Sequence, residues 1–321
     1  VIEAAGRADV AGEPLLVLGG GSNLVVADMG FAGTVVRVRT GGMAIEANAN
    51  RARLTVAAGE SWDGVVARCV ERGLAGIECL AGIPGSTGAA PIQNVGAYGQ
   101  QVSDTIVSVR AYDRRARQVI ELGGSQCSFA YRSSMFKHWA RFVVLGVTFE
   151  LECSSLGCPV RYPELAKALG VEPGARPPLA AVREAVLALR GRKGMVLDPT
   201  DPDSVSAGSF FLNPVLPAER FHVLLRRIGE RLGADVRPPA WPEADGGTKI
   251  SAAWLIEHAG FWRGYGEGCV GISSKHTLAL VNRGGAATSD LLALARQVRH
   301  GVREAFGVTL QPEPTLVGVE L

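Results

Sequence analysis

The sequence predicts an α+β fold divided between two units, and three observations carry that prediction. β-Branched runs crowd roughly the first 150 residues, with one clear helix among them; helical stripes dominate the last third. The length, 321 residues, suits two domains. Glycine supplies 41 of those residues, about 13% against a usual ~7%, and it gathers in loops where a side chain would not fit.

In chain order, Leu15–Leu18, Thr34–Val38, Leu54–Ala57, Val107–Tyr112, Gln118–Leu122 and Phe142–Leu151 read as strands, short apolar runs bounded by turn residues. Val109–Leu122 folds back on itself at Asp113–Arg117 as a hairpin. Ser61 as N-cap and Gly73 as stop bracket a helix with Trp62, Val65, Val66, Cys69 and Val70 on one face. Pro173, Pro177, Pro178, Pro199 and Pro202 punctuate the next stretch around a single helix, Leu179–Arg190, and mark it as a connecting region. Pro217 then opens a helix with Phe221, Leu224, Leu225, Ile228 and Leu232 as its stripe, closed by Gly233. Ser251 starts another, and Ser289 a long one with Leu292, Ala295, Val298, Val302 and Phe306 inward. Strands Thr277–Asn282 and Thr315–Val317 complete the second unit. The division predicted is a first domain over 1–155, a connector over 156–205 and a C-terminal domain over 206–321.

Charge excludes several functions. Lysine and arginine number 33 against 31 acids, with no basic stripe, so a nucleic-acid binder is not expected. The six cysteines include no C-x-x-C pair, and buried thiols in a reducing cytoplasm are the expectation. The five histidines are scattered, with no H-x3-H or H-E-x-x-H, and no metal is expected. The longest uncharged stretch, Cys79–Ser103, is broken by prolines and glycines and is no membrane span.

Two glycine loops carry the first chemical signal. Gly19-Gly20-Gly21-Ser22-Asn23 follows an apolar strand directly, so several backbone N–H groups are free to converge on phosphate oxygens. The dinucleotide fingerprint fails, because Leu24 stands at the third glycine position, and a tight turn between strands explains the loop equally well. The second loop is more telling. Gly82-Ile83-Pro84-Gly85-Ser86-Thr87-Gly88-Ala89-Ala90-Pro91-Ile92-Gln93-Asn94-Val95-Gly96-Ala97-Tyr98-Gly99 holds no charge in eighteen residues. A surface loop would be more polar, and a buried one needs partners for its backbone, which a cofactor with a pyrophosphate and a flat ring supplies.

The segments LGGGSNLVVADMGFAG, AGIPGSTGAAPIQNVGAYG, FAYRSSMFKH, AGSFFLNP, KISAAWLIEHAG and LQPEPTLVG, in this order from position 18 to 318, resemble the UDP-N-acetylenolpyruvoylglucosamine reductase (MurB) family. The resemblance implies an FAD-binding domain of the vanillyl-alcohol-oxidase (PCMH) type followed by a smaller α+β substrate-binding domain. It implies noncovalent FAD, held by Gly19–Asn23 and by Gly82, Ile83, Pro84, Gly85, Ser86, Gly88, Ala89, Asn94, Gly96, Ala97 and Tyr98. It further implies NADPH as reductant and UDP-N-acetylglucosamine enolpyruvate as substrate, in a cytoplasmic enzyme of peptidoglycan precursor synthesis expected to be a monomer. VRYPEL around Tyr162 is similar to the subtype with a tyrosine-bearing loop over the substrate. The family's opening Thr/Asn-rich segment and first strand have no counterpart here.

The implied reaction adds hydride to the terminal carbon of an enolpyruvyl group, so negative charge develops on the conjugated carboxylate and a proton must reach the adjacent carbon. The resemblance places Arg132, Ser209 and Glu313 in the catalytic set. Arg132 has a planar fork for the carboxylate, although most arginines of a chain like this are surface ion pairs. Glu313, between Pro312 and Pro314, would be a carboxylic acid kept protonated near the substrate; the plain alternative is an exposed acid near a terminus. Ser209 matches the family's proton donor, against the alternative of a turn serine. Tyr131, Tyr162, Lys193, Asn213 and Arg263 match substrate contacts, Lys193 and Arg263 as charges for the diphosphate. His276 reads as a strand-edge histidine, with a polar contact near the site as the alternative. Two other functions fit the glycine loops, an alcohol oxidase on the same cofactor domain and a nucleotide-sugar binder without FAD. Anaerobic reduction by NADPH and the visible spectrum discriminate them.

Overall fold

The computed structural model describes residues 1–138, 140–243 and 246–321. Two compact units emerge: Val1–Ser22 with Phe31–Arg192, and Asn23–Gly30 with Lys193–Leu321.

The first unit is built on an antiparallel sheet in the order Gln118–Gly123, Ile106–Asp113, Phe142–Cys153, Arg51–Ala57, Met43–Ala47, with Leu74–Ala75 added beside Phe142–Cys153. Arg51–Ala57 shows the governing pattern. Ala52, Leu54 and Val56 are fully buried while Arg51, Arg53 and Thr55 face water, the two-residue period of a strand covered on one side. The helix Trp62–Glu71 lies over this core through Trp62, Val65, Val66 and Cys69, with Val70 at its edge. Ser61 caps it by accepting the Gly64 N–H, as its sequence predicts. Trp62 buries its ring, 5.8 Å from that of Phe149, and satisfies its indole N–H on the Leu80 carbonyl at 3.1 Å. Replacing such a tryptophan by alanine costs about 3–5 kcal/mol in a core.

The predicted connector is a misreading. Helices Pro163–Leu169 and Leu179–Arg192 bury Leu165, Ala166, Val182, Val186 and Leu189 in the first unit's core, so the chain is packed there to Arg192. The prolines that suggested a linker sit at helix starts and turns, where a missing N–H costs nothing. Two further elements had no clear signal: the helix Ile2–Ala11, and strand Leu24–Val26, which pairs in parallel with Thr315–Val317 in the second unit. That pairing takes residues 23–30 out of the first unit, between two strands, Leu15–Leu18 and Thr34–Arg37, that are themselves parallel partners.

The second unit gathers Phe210, Phe211, Leu224, Ile228, Ile250, Leu255, Ile256 and Phe306 into its core. Its long helix runs Thr288–Phe306, one residue earlier than predicted, and the five expected inward residues are all buried. The start is fixed by the Asp28 carboxylate, which accepts the N–H groups of Thr288 at 2.5 Å and Ser289 at 3.1 Å and is thereby held below its ordinary pKa. The strand predicted from Thr277 begins at Ala279, because Ser273 Oγ accepts the N–H groups of Lys275 and His276 and bends the preceding segment. No helix among the described residues is long and apolar enough to cross a membrane.

The predicted hairpin is present, with Gln118–Gly123 registered on Ser108–Asp113. Asp113 organises its turn, accepting the N–H groups of Arg115 and Ala116 and pairing with the Arg141 guanidinium, which lowers its pKa to about 2. A depressed carboxylate stabilises fully above its unfolded value near 3.8 and loses that contribution as pH falls through about 2. Asp113→Asn should therefore melt below wild type at neutral pH. The difference should vanish toward pH 2, as read from melting temperatures across an acid series.

Candidate active site

The two glycine loops meet in the first unit. A Cβ built on Gly20 would lie 2.9 Å from Gly85 Cα, and one on Gly19 would lie 2.4 Å from Ser86 Oγ. Gly85 has φ +117, and Ser22 Oγ donates to the Pro84 carbonyl at 3.2 Å. The second loop is anchored beneath by Gly88 N–H to Ala58 O and Thr87 N–H to Glu60 O, both 2.8 Å, and Gly82 N–H donates to Asp63 at 2.6 Å. Among the described residues, the backbone N–H groups of Gly20, Gly21, Ser22, Gly85 and Ser86 donate to no other group of the chain. Glycine-rich backbone with such free N–H donors fits a pyrophosphate. Asn23, the fifth residue of the first loop, belongs to the second unit, where its carbonyl accepts the Thr315 N–H at 3.0 Å.

Arg132 is carried to this loop by a two-residue turn, Ala130 and Ser133 exchanging backbone bonds of 3.0 and 3.2 Å across Tyr131 and Arg132. Arg132 Nη2 donates to the Gly96 carbonyl at 2.5 Å, and its guanidinium carbon lies 5.5 Å from the Tyr131 ring centroid. Asn94, Tyr98 and Arg132 all have φ near +50, a region costly for residues other than glycine, and they cluster here. Tyr98 and Tyr162 meet edge to face at 5.4 Å. Burial pushes the Tyr98 phenol up to about 12 and the Tyr162 phenol upward, so both remain donors at neutral pH. Asn94, expected as a cofactor contact, also bonds the protein through its side chain. It is 2% exposed, donates to Ala130 O and Gln101 Oε1, and accepts the Ser103 N–H.

The remaining predicted residues lie in the second unit. Ser209 ends strand Ser206–Ser209, after Gly208 at φ +75 and opposite Ala279. Phe210 donates its N–H to Leu278 O at 2.7 Å and accepts the Glu313 N–H at 2.9 Å, while Leu212 N–H donates to Gln311 O. This register sets half-buried Glu313 beside the residue that follows Ser209. Asn213 caps the helix Ala252–His258 by accepting the Ala252 N–H at 2.9 Å. Arg263 is largely exposed and pairs with Glu257 at 3.5 Å. The structure thus groups Ser209 with Glu313, Arg132 with Tyr131 and Gly96, and Tyr98 with Tyr162.

Sequence reasoning passes over Arg190 and understates His276. Arg190 continues the buried 182–186 register of its helix by one more turn, which was a readable signal; burial lowers its pKa while Tyr98 and Asp63 act against that. His276 is more than a strand-edge residue. Burial first, then the charges of Lys193 and Arg263, lower it to about 4, so it is neutral at pH 7 and marks a cationic neighbourhood around Lys193. Among the described residues no three histidine, cysteine or acidic side chains are grouped to hold a metal.

Residues 1–121 match an FAD-binding domain family, and residues 199–317 match the C-terminal domain of UDP-N-acetylenolpyruvoylglucosamine reductases. The chain is 59% identical over 314 residues to the UDP-N-acetylenolpyruvoylglucosamine reductase of Thermobifida fusca, covering 98% of this chain and 88% of that protein. It is 59% identical over 323 residues to that of Streptomyces avermitilis, covering 100% and 88%. The crystal structure of the Thermus caldophilus reductase superposes with a TM-score of 0.63 at 24% identity, over 99% of this chain and 90% of that one. A side chain at the loop contact should abolish cofactor binding: Gly85→Val should purify with its flavin absorbance lost relative to protein absorbance, and full occupancy would count against the cradle.

Proposed function

The chain belongs to the UDP-N-acetylenolpyruvoylglucosamine reductase family, and from that premise we propose that Arg132, Ser209 and Glu313 divide the work of its reaction. The protein is an NADPH-dependent FAD enzyme with a cofactor domain of the vanillyl-alcohol-oxidase type; it reduces UDP-N-acetylglucosamine enolpyruvate to UDP-N-acetylmuramate in peptidoglycan precursor synthesis. Bound FAD would supply the hydride chemistry that links NADPH to the terminal carbon of the enolpyruvyl double bond.

Arg132 binds the substrate carboxylate with its planar fork and stabilises the charge that develops there. Glu313, as a neutral acid, donates a hydrogen bond to the same group and adds no opposing charge. Ser209 gives its hydroxyl proton to the carbon next to the carboxylate, a transfer favoured because the acceptor is a strong carbon base. His276 does not compete for that role, since at neutral pH it carries no cationic proton. Lys193 and Arg263 supply charge for the diphosphate, and Tyr131, Tyr162 and Asn213 complete the substrate contacts. Gly19–Ser22 and Gly82–Tyr98 hold the FAD, noncovalently. The antiparallel bridge of Phe211 with Pro312, flanked by the backbone bonds of Phe210 with Glu313 and Leu212 with Gln311, supports this reading most, because it joins two motifs about a hundred residues apart in sequence. On this reading the enzyme is a monomer in the cytoplasm, a compartment that suits six unpaired cysteines.

Rapid mixing of the two half-reactions tests the roles. Ser209→Ala should bind FAD and be reduced by NADPH at near-native rate, while substrate reoxidises it about 10²–10⁴-fold more slowly. Equal slowing of both halves would make Ser209 a structural residue. Arg132→Lys keeps the charge and loses the fork, so it should slow the same second half; a rise in KM alone would reduce Arg132 to uniform binding.

A further inference from the structure

Alternate residues of the flavin loop grip the turn that carries Arg132. Ile92 O accepts Ser134 Oγ at 2.7 Å, Asn94 Nδ2 donates to Ala130 O at 3.1 Å, and Gly96 O accepts Arg132 Nη2 at 2.5 Å. One strap precedes the arginine, one follows it, and the third holds its side chain. Ser134 is 1% exposed, and its hydroxyl also accepts the Phe136 N–H at 3.2 Å, opening the short helix Met135–His138. Lys137, on that helix, returns an Nζ donor to the Arg132 carbonyl at 3.2 Å.

The straps have a physical reason. Arg132 has φ +50 at the second central position of its turn, where glycine is preferred. Left alone, such a turn relaxes, since an L side chain in the left-handed region costs about 1–2 kcal/mol. A relaxed turn would move the guanidinium by more than a hydrogen bond tolerates. The buried hydroxyl of Ser134 is the fixed point on the C-terminal side, because it bonds the loop and the helix start at once.

We propose that Ser134 is a positioning residue for Arg132, transmitting the geometry of the flavin loop to the arginine that binds the substrate carboxylate. The proposal rests on the assignment of Arg132 given above. It makes the loop and the arginine one mechanical piece, so loss of the Ser134 strap is felt at the carboxylate.

The test uses holoenzyme and the two half-reactions. Ser134→Ala should keep its flavin and its rate of reduction by NADPH. Its reoxidation by the enolpyruvyl substrate should slow by roughly 10²-fold, the scale of an ångström-sized misplacement. Combined with Arg132→Lys it should be little slower than Arg132→Lys alone, because both changes remove the same interaction. Ser134→Thr should restore the rate and Ser134→Val should not; the two differ by the hydroxyl, and their comparison serves where the alanine variant loses flavin. Equal slowing of both halves, multiplicative losses in the double variant, or equal rates for threonine and valine would each overturn the proposal. An Arg132→Lys enzyme with an unimpaired second half would remove the assignment of Arg132 itself, and the proposal with it.

Discussion

The contact between Gly20 and Gly85 is the constraint on which the proposed cofactor cradle depends. Two stretches of backbone more than sixty residues apart approach so closely that a single Cβ at Gly20 would intrude to 2.9 Å of the Gly85 Cα. Gly85 also has a backbone conformation that side chains rarely adopt. The loops touch through backbone, and among the described residues they keep N–H groups that donate to no other group of the chain, as a phosphate site requires. The underside of the second loop is equally exacting, since a Cβ on Gly88 would stand 2.5 Å from that of Ala58. Glycine is required at Gly20 and Gly88 because two layers of main chain stack there.

Polar groups buried by this packing are handled consistently: acids sit at chain reversals and accept backbone N–H groups. Fully buried Glu78 accepts Gly76 N–H at 2.7 Å and Cys158 N–H at 2.6 Å, joining the segment before the flavin loop to the one before Tyr162. Asp63 does the same for Gly82, and Asp113 for its hairpin. Such bonds cost little where the charge is matched, and they fix loops that apolar contacts alone would leave free. Asn94 belongs with them. Its amide is wholly engaged by the protein, which makes it part of the frame around the cofactor.

Some elements were legible because local rules and tertiary packing agreed. Ser61 through Glu71 carries cap, stripe and stop in one short run, and the helix forms as written. The Asp113–Arg117 turn was equally plain. The helix predicted from Ser289 starts a residue early because Asp28, far away in sequence, supplies the cap. Leu24–Val26 is too short to announce itself, and only its pairing with Thr315–Val317 makes it a strand. The supposed connector failed for the opposite reason: prolines were read as linker punctuation where burial of Leu165, Val182 and Val186 shows core.

By itself the sequence determined the fold class, the two glycine loops and the family, since these are written in contiguous motifs whose residue types admit few other uses. The same motifs named Arg132, Ser209 and Glu313. Tertiary structure decided what each side chain touches. It made the Asn94 side chain a brace for the Ala130 carbonyl, drew Ser134 into the placement of Arg132, and set His276 neutral through burial and the charges of Lys193 and Arg263. The reason is physical: a motif specifies chemistry through residue type, whereas hydrogen-bond partners and protonation depend on neighbours that the chain brings together only by folding.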